Sequence, residues 1–354
     1  MIHLVDILGN ALAFLFAVGV LIVAHEWGHY VMAKRGGVPV EEFSVGFGPV
    51  VRCLGHSRET TFNLRALPVG GFVRMAGMEP GDDAPDGYNT KPMWTRSKII
   101  VAGVVVNLIL GFLIFVVLGV TVGLPSENRA TVSVGPVGRG SAAERAGLRE
   151  GDRFTAVNGA PVTDRPMLTD VIRSSAGKTV TLTLLRQGQT LTLSAVPTAV
   201  DEGGTKIGRL GFEVLSDPLW EPQTLVSSVT GGATRTWTMA TGIIRMVFSK
   251  AMFTRGQVGG PIAIAQAAGQ TARHGARDFA FFIAILSINL GVLNVLPIPA
   301  LDGGHLLLLG VEAVRRRKLQ ANTAMWIQGI GFALLLLFIF FATGGDLLRI
   351  LHKG

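Results

Sequence analysis

The sequence predicts a polytopic α-helical membrane protein: four transmembrane helices with a soluble α+β module inserted among them. Three observations predict it. Of 354 residues, 49% are hydrophobic and 16% charged, with a mean hydropathy of +0.46, more apolar content than the core of a soluble chain this size absorbs. Four runs approach the roughly 20 apolar residues that cross a bilayer, near Val5–Met32, Ile99–Val122, Phe279–Leu296 and Met325–Ala342. Between the second and third the pattern changes to short alternating stretches broken by glycine and asparagine, as expected of a strand-rich unit in water.

The first run has no Lys or Arg ahead of it, and cleavage as a signal peptide would discard or strand the motif at its end, so it reads as a retained span. Lys34 and Arg35 follow it, Arg96 and Lys98 precede the second span, and Arg315, Arg316, Arg317 and Lys318 lie between the third and fourth. Those sides are expected in the cytoplasm and the inserted module outside it, with Arg349 and Lys353 opposing this weakly. The net charge of +8 and pI of about 10.1 come without a basic stripe interleaved with aromatics. Nucleic acid is therefore not expected as a partner, and anionic lipid and topology account for the charge. The single cysteine, Cys53, excludes an intrachain disulfide and a thiolate metal cluster. A metal would need His and carboxylate.

The first span ends in HEWGH. On a helix His25 and His29 share a face and Glu26 leans toward it, so two imidazoles can hold one Zn²⁺ with a carboxylate beside its open position. Counting back from Lys34 at 1.5 Å per residue puts His25 about 13 Å inside the helix end. Ionisable groups at that depth are costly unless they line a functional interior. A catalytic zinc needs a third protein ligand. The best source is NLGVLNVLPIPALDGGHLLLLG, 289–310, where Pro297 and Pro299 break the third span and Gly303 and Gly304 permit close approach. Asp302 is the candidate, His305 its rival, and a plain helix cap the structural alternative.

These motifs, with FSVGFGP at 43–49, LPVGGFVRM at 67–75, AGVVVN at 102–107 and VGGPIAIA at 258–265, follow one another along nearly the whole chain. Together they resemble the site-2 protease family of intramembrane metalloproteases, bacterial RseP type. The resemblance implies His25, His29 and Asp302 as zinc ligands, Glu26 as the catalytic carboxylate, and Asn289 and Asn294 as polar groups near the substrate. The family often has proline after AG; this chain has Val104 but keeps Asn107. In that chemistry the zinc activates water and carbonyl while Glu26 takes a proton and passes it to the leaving nitrogen. The resemblance also implies substrates that are single-span membrane proteins already trimmed by another protease, such as anti-sigma factors, and remnant signal peptides.

Residues 1–124 then form the first half of the membrane core. Within them TTFNLRALPVGGFVRM, 60–75, reads as a hairpin with Pro68, Gly70 and Gly71 at its bend. It is similar to the family's re-entrant β-loop, which presents an unwound substrate strand; an ordinary cytoplasmic hairpin is the alternative. Residues 125–199 resemble a PDZ domain: a short helix near 142, a turn at Gly147, a strand through Phe154, a turn at Asn158 and Gly159, a second helix and a hairpin around Gly188. PDZ folds take extended peptides at a sheet edge. Residues 200–258 read as a linker whose segment 234–253 is an amphipathic surface helix, and 259–354 as the second half of the core. The acidic stretch 78–87 reads as a solvated loop, and His3, His56, His274 and His352 carry no role. The chain is expected in a bacterial inner membrane, its active site toward the cytoplasm. A zinc-stapled scaffold without catalysis is the rival function, and a transporter is disfavoured because no inverted repeat is visible.

Overall fold

The computed structural model describes residues 2–78, 84–249 and 260–353; half of the acidic stretch 78–87, the end of the segment 234–253 and the start of VGGPIAIA lie outside them. The chain forms two compact units, Met1–Val120 with Thr224–Gly354, and Thr121–Gln223.

The first unit begins with α1, Ile2–Arg35, which stays helical through its closing Lys34 and Arg35, where positive charge complements the helix dipole. Gly36 N–H then closes on Met32 O, and Gly37 turns the chain at φ +66°. Next come β1, Val40–Ser57, and β2, Thr60–Met75, paired in one layer. Residues 60–75 are not a hairpin on their own, which corrects the sequence expectation. Glu42 faces both Thr61 and Arg74, and Val45 faces both Leu64 and Gly71, so the start of β1 lies between the two halves of β2. Positive φ at Gly46, Gly48 and Gly70 lets both strands bend into this arrangement. The buried Glu42 ties it, accepting from Ser44 Oγ, from Asn63 Nδ2 at 2.8 Å and from Arg65 Nε at 3.2 Å. Helix α2, Met93–Thr121, follows without a break at Val104.

The second unit holds β3 (Leu124–Val137), α3 (Ala142–Arg145), β4 (Arg153–Val157), β5 (Ala160–Pro161), α4 (Arg165–Ser174), β6 (Val180–Arg186), β7 (Gln189–Ala195), β8 (Thr198–Glu202), β9 (Thr205–Arg209) and β10 (Phe212–Glu221). Ser141 caps α3, its Oγ accepting from Glu144 N–H at 3.1 Å, and Glu144 accepts from Gly140 N–H at 2.6 Å just ahead of the cap. Asn158–Gly159 and Gln187–Gly188 both have positive φ at successive positions, which suits two-residue hairpin turns. Val132, Val134, Phe154, Leu168, Leu182 and Leu184 fill the core. The sheet runs in the order β10-β3-β4-β6-β7. Because β10 pairs with β3 from Phe212↔Val137 to Glu221↔Leu124, the unit extends to Gln223, and residues 200–223 are strands rather than the expected linker. Backbone pairing with a strand some 80 positions earlier decides this boundary.

Asp152, 1% exposed, receives Arg186 Nε at 2.6 Å and Arg149 N–H at 2.9 Å. Burial alone would raise its pKa, but the hydrogen bonds and charge of Arg186 hold the carboxyl below its usual range. A depressed folded-state pKa contributes stability above the unfolded value, near 3.8, that is lost as pH falls below it. Arg186→Ala is expected to destabilise this unit by about 3 kcal/mol, the low end for a buried pair because the arginine is half-buried. Hydrogen exchange of the β6 amides in the full chain checks both the loss and its progressive fading as pH falls from about 4.

The chain returns to the first unit through α5 (Leu225–Val247), α6 (Pro261–His274), α7 (Ala276–Val295), α8 (Asp302–Arg315) and α9 (Ala321–Lys353). Helix α5 packs against α2 through its first turns, ahead of the segment 234–253. Ser228 is buried so close to Gly119 of α2 that a Cβ there would come within 2.6 Å of its Oγ, and Gly232 abuts Phe112, Phe115 and Val116. Asp346 on α9 is buried and accepts from Gly260 N–H at 3.1 Å and Ala263 N–H at 2.9 Å, satisfying the open end of α6 from a neighbouring helix. Among the described residues four helices, within Val5–Arg35, Met93–Thr121, Ala276–Val295 and Asn322–Arg349, are long and apolar enough to cross a membrane.

Candidate metal centre

One turn of α1 presents both histidines to the same point. His25 Nε2 and His29 Nε2 lie 3.1 Å apart, and Asp302 Oδ2 is 3.0 Å from the first and 3.5 Å from the second. The far side of each ring is held. His29 Nδ1 donates to Ile99 O at 2.9 Å, and the fully buried Asn107 amide lies 3.2 Å from His25 Nδ1. An amide offers its oxygen or its NH₂ by a half-turn. Asn107 Oδ1 has no other partner, so turned to the ring it accepts Nδ1–H and leaves Nε2 a lone pair. Three lone-pair donors within 4.8 Å of one another then face each other in the interior, and Asp302 Oδ2 is buried with no hydrogen aimed at it. Such an arrangement is costly alone and suits a divalent cation. The residues present fit zinc, whose ligand preference is nitrogen and carboxylate oxygen.

Asp302 reaches this point through the broken segment between α7 and α8. Its side chain does not cap α8: Leu301 occupies that position, without a side-chain cap bond. His305 is not among the converging donors. A Cβ on Gly303 would come within 1.9 Å of Leu296 O, and one on Gly304 within 2.5 Å of Ile298 O, so only glycine lets the first turn of α8 fold back on the prolines. Ala300, two residues before Asp302, has φ +76°, and its N–H donates to Gln328 Oε1 of α9 at 2.5 Å. A left-handed alanine costs about 1–2 kcal/mol and persists because its surroundings hold it. Gln328→Leu is therefore expected to speed zinc loss about tenfold, the effect of one buried hydrogen bond, and Ala300→Gly in that background to restore much of it. Dissociation into a chelator measures both.

Glu26 is half-buried beside His25. The second half of β2 runs past it: the Val73 backbone hydrogen-bonds the carboxylate, and a Cβ on Gly71 would lie 3.4 Å from Glu26 Cγ and 2.8 Å from Ile22. Gly70 serves the bend instead, its φ +95° setting it against the Phe47 ring. Of the two α7 asparagines, Asn294 Nδ2 lies 3.3 Å from His25 Nε2. Asn289 is five residues earlier, about 140° round the helix, and among the described residues makes no hydrogen bond to the cluster. Sequence reasoning missed Gly103, where a Cβ would be 2.5 Å from His29 Nε2 and 2.8 Å from His25 Cε1. The signal available was the small pair Ala102-Gly103 inside a span, a mark of close helix approach. It also missed Gln328.

Three convergent donors with the Glu26 carboxylate beside them, two of the donors on a helix of membrane-crossing length, define a metallohydrolase of the membrane. A sequence profile described as Peptidase family M50 matches residues 13–338. The chain belongs to this family, the site-2 proteases, and is a zinc metalloendopeptidase. It is similar to a protein named zinc metalloprotease RasP from Bacillus licheniformis, 29% identical over 426 residues, covering 97% of this chain and 100% of that one. Regulator of sigma-W protease RasP from Bacillus subtilis is 29% identical over 425 residues, with coverage of 96% and 99%. A Mesorhizobium japonicum protein is 33% identical over 365 residues, with coverage of 96% and 99%.

Proposed function

We propose that this peptidase cuts within the transmembrane segments of single-span membrane proteins, anti-sigma-factor-like chains trimmed beforehand by another protease and, as a second class, remnant signal peptides. The observation that carries the reading is that the donor cluster is built on a membrane-length helix. The name of the Bacillus subtilis relative points to sigma-factor regulation.

In this reading His25, His29 and Asp302 hold the zinc, which when bound supplies Lewis-acid stabilisation of charge developing on oxygen. Glu26 takes the proton of the attacking water and returns it to the leaving nitrogen. Asn107 holds His25 in the tautomer that offers Nε2. Asn294, whose amide reaches the edge of the cluster, donates toward the oxygen that gains charge. A transmembrane helix hides its carbonyls in hydrogen bonds, so a substrate must be extended to be cut. Residues 71–75 support such a step, since they pair with β1 on one side and run beside Glu26, and an incoming strand can add to them as a re-entrant β-loop would require. Gly71 leaves the room this approach needs.

The unit Thr121–Gln223 is read as a PDZ domain on the extracytoplasmic side of a bacterial inner membrane. Supporting this, β10 is an edge strand, and beside α4 a cavity of about 240 Å³ is lined by Ile172, Leu210, Phe212 and Val214 with Arg173 and Glu202 also on its wall, a mixed groove of the kind that takes an extended peptide. A scaffold held by structural zinc would need a fourth protein donor; among the described residues three converge.

The test uses purified enzyme and a single-span substrate with a short ectodomain, and the same substrate carrying a folded one. Cleavage inside the span of the first and its suppression in the second are expected. Cleavage confined to soluble segments would overturn the reading.

A further inference from the structure

The helices α1 and α2 meet where a Cβ on Gly28 would lie 2.5 Å from Ala102 O. Along this contact, on the side away from the histidines, runs a cavity of about 470 Å³. Val31, Val101 and Val105 contribute to its walls, and Trp27 stands half-exposed over it. The polar groups collect at one end, where Arg35, Ser97 and Lys98 line the mouth beside Trp94. Lys98 Nζ sits 5.7 Å from the Trp94 ring centroid, which steadies the ammonium at the rim.

The neighbouring cations are already used: Lys34 pairs with Glu59 and Arg96 with Glu312. Arg35 and Lys98 are exposed, and among the described residues neither has a carboxylate partner. An apolar slot between two spans, closed at one end by two unneutralised cations and an indole, complements one ligand chemistry: a hydrocarbon chain ending in a phosphate.

We propose that this groove binds one anionic phospholipid, an acyl chain lying along the α1–α2 seam and the phosphate between Arg35 and Lys98. A zwitterionic lipid brings its own cation to the mouth and fits it less well. The site is separate from the metal cluster and does not depend on the substrate class proposed above.

Native mass spectrometry of the purified full chain, titrated with phosphatidylglycerol or phosphatidylcholine, tests the assignment. One phosphatidylglycerol is expected to be retained, about tenfold better than phosphatidylcholine. Arg35→Gln with Lys98→Gln should abolish the preference, whereas Arg316→Gln with Arg317→Gln should leave it intact. Val105→Trp, which fills the slot, should remove the retained lipid. Glycerol phosphate, a headgroup without chains, should not displace it. The proposal fails if the two lipids bind equally, if the preference survives loss of Arg35 and Lys98, if glycerol phosphate competes, or if a photo-crosslinker at Val105 captures a peptide segment in place of lipid.

Discussion

Glu26→Gln is expected to hold zinc as the wild type does and to cut substrate roughly 10²–10⁴-fold more slowly, the range for loss of a positioned general base. The substitution keeps the shape of a side chain that the second half of β2 passes closely, a Cβ on Gly71 lying 3.4 Å from Glu26 Cγ. It removes only the ability to take a proton. The measured pair is zinc content of the purified variant and its single-turnover cleavage of a transmembrane substrate. Loss of zinc along with activity would make Glu26 part of the metal's support rather than the base. Near-full activity would end its catalytic role.

Asp302→Ala should strip zinc from the protein, weakening retention by more than about 100-fold, beyond what loss of an outer partner costs. His305→Ala should leave zinc bound. The contrast rests on geometry: Asp302 Oδ2 stands 3.0 Å and 3.5 Å from the two Nε2 atoms, and His305, three residues on, is not among the converging donors. Metal analysis after dialysis against a weak chelator decides it. Zinc kept by the Asp302 variant and lost by the His305 variant would reverse the assignment.

The parts of this site that depend on one helical turn could be read directly. HEWGH puts two imidazoles on one face because four residues make about one turn, and the apolar run before it is the ground for expecting them at membrane depth. For the third donor the sequence named Asp302, with His305 as rival and a plain cap as alternative, since which residue meets α1 depends on how α8 folds back on Pro297 and Pro299. The same limit separates Asn294 from Asn289: one helix carries both, and only its packing says which face turns inward. In the β layer the alternation of 60–75 was legible, whereas the insertion of Glu42–Val45 between its halves was not, because a strand pattern does not name its partner. Strand β10 was lost for a related reason. Its partner β3 is distant in sequence, and Pro218 within it weakens the local strand signal. Gly103 and Gln328 are ordinary residues locally and acquire meaning only from what lies across from them.

The histidines stand on the first helix and Asp302 on the second to last. A ribosome adding roughly 5–20 residues per second delivers them well apart in time. Until Asp302 arrives the early part of the chain carries His25, His29 and Glu26 but only two of the three proposed zinc donors. With the proposed ligand set, a nascent copy gains its third donor, and with it the means to retain zinc, only once Asp302 has been made.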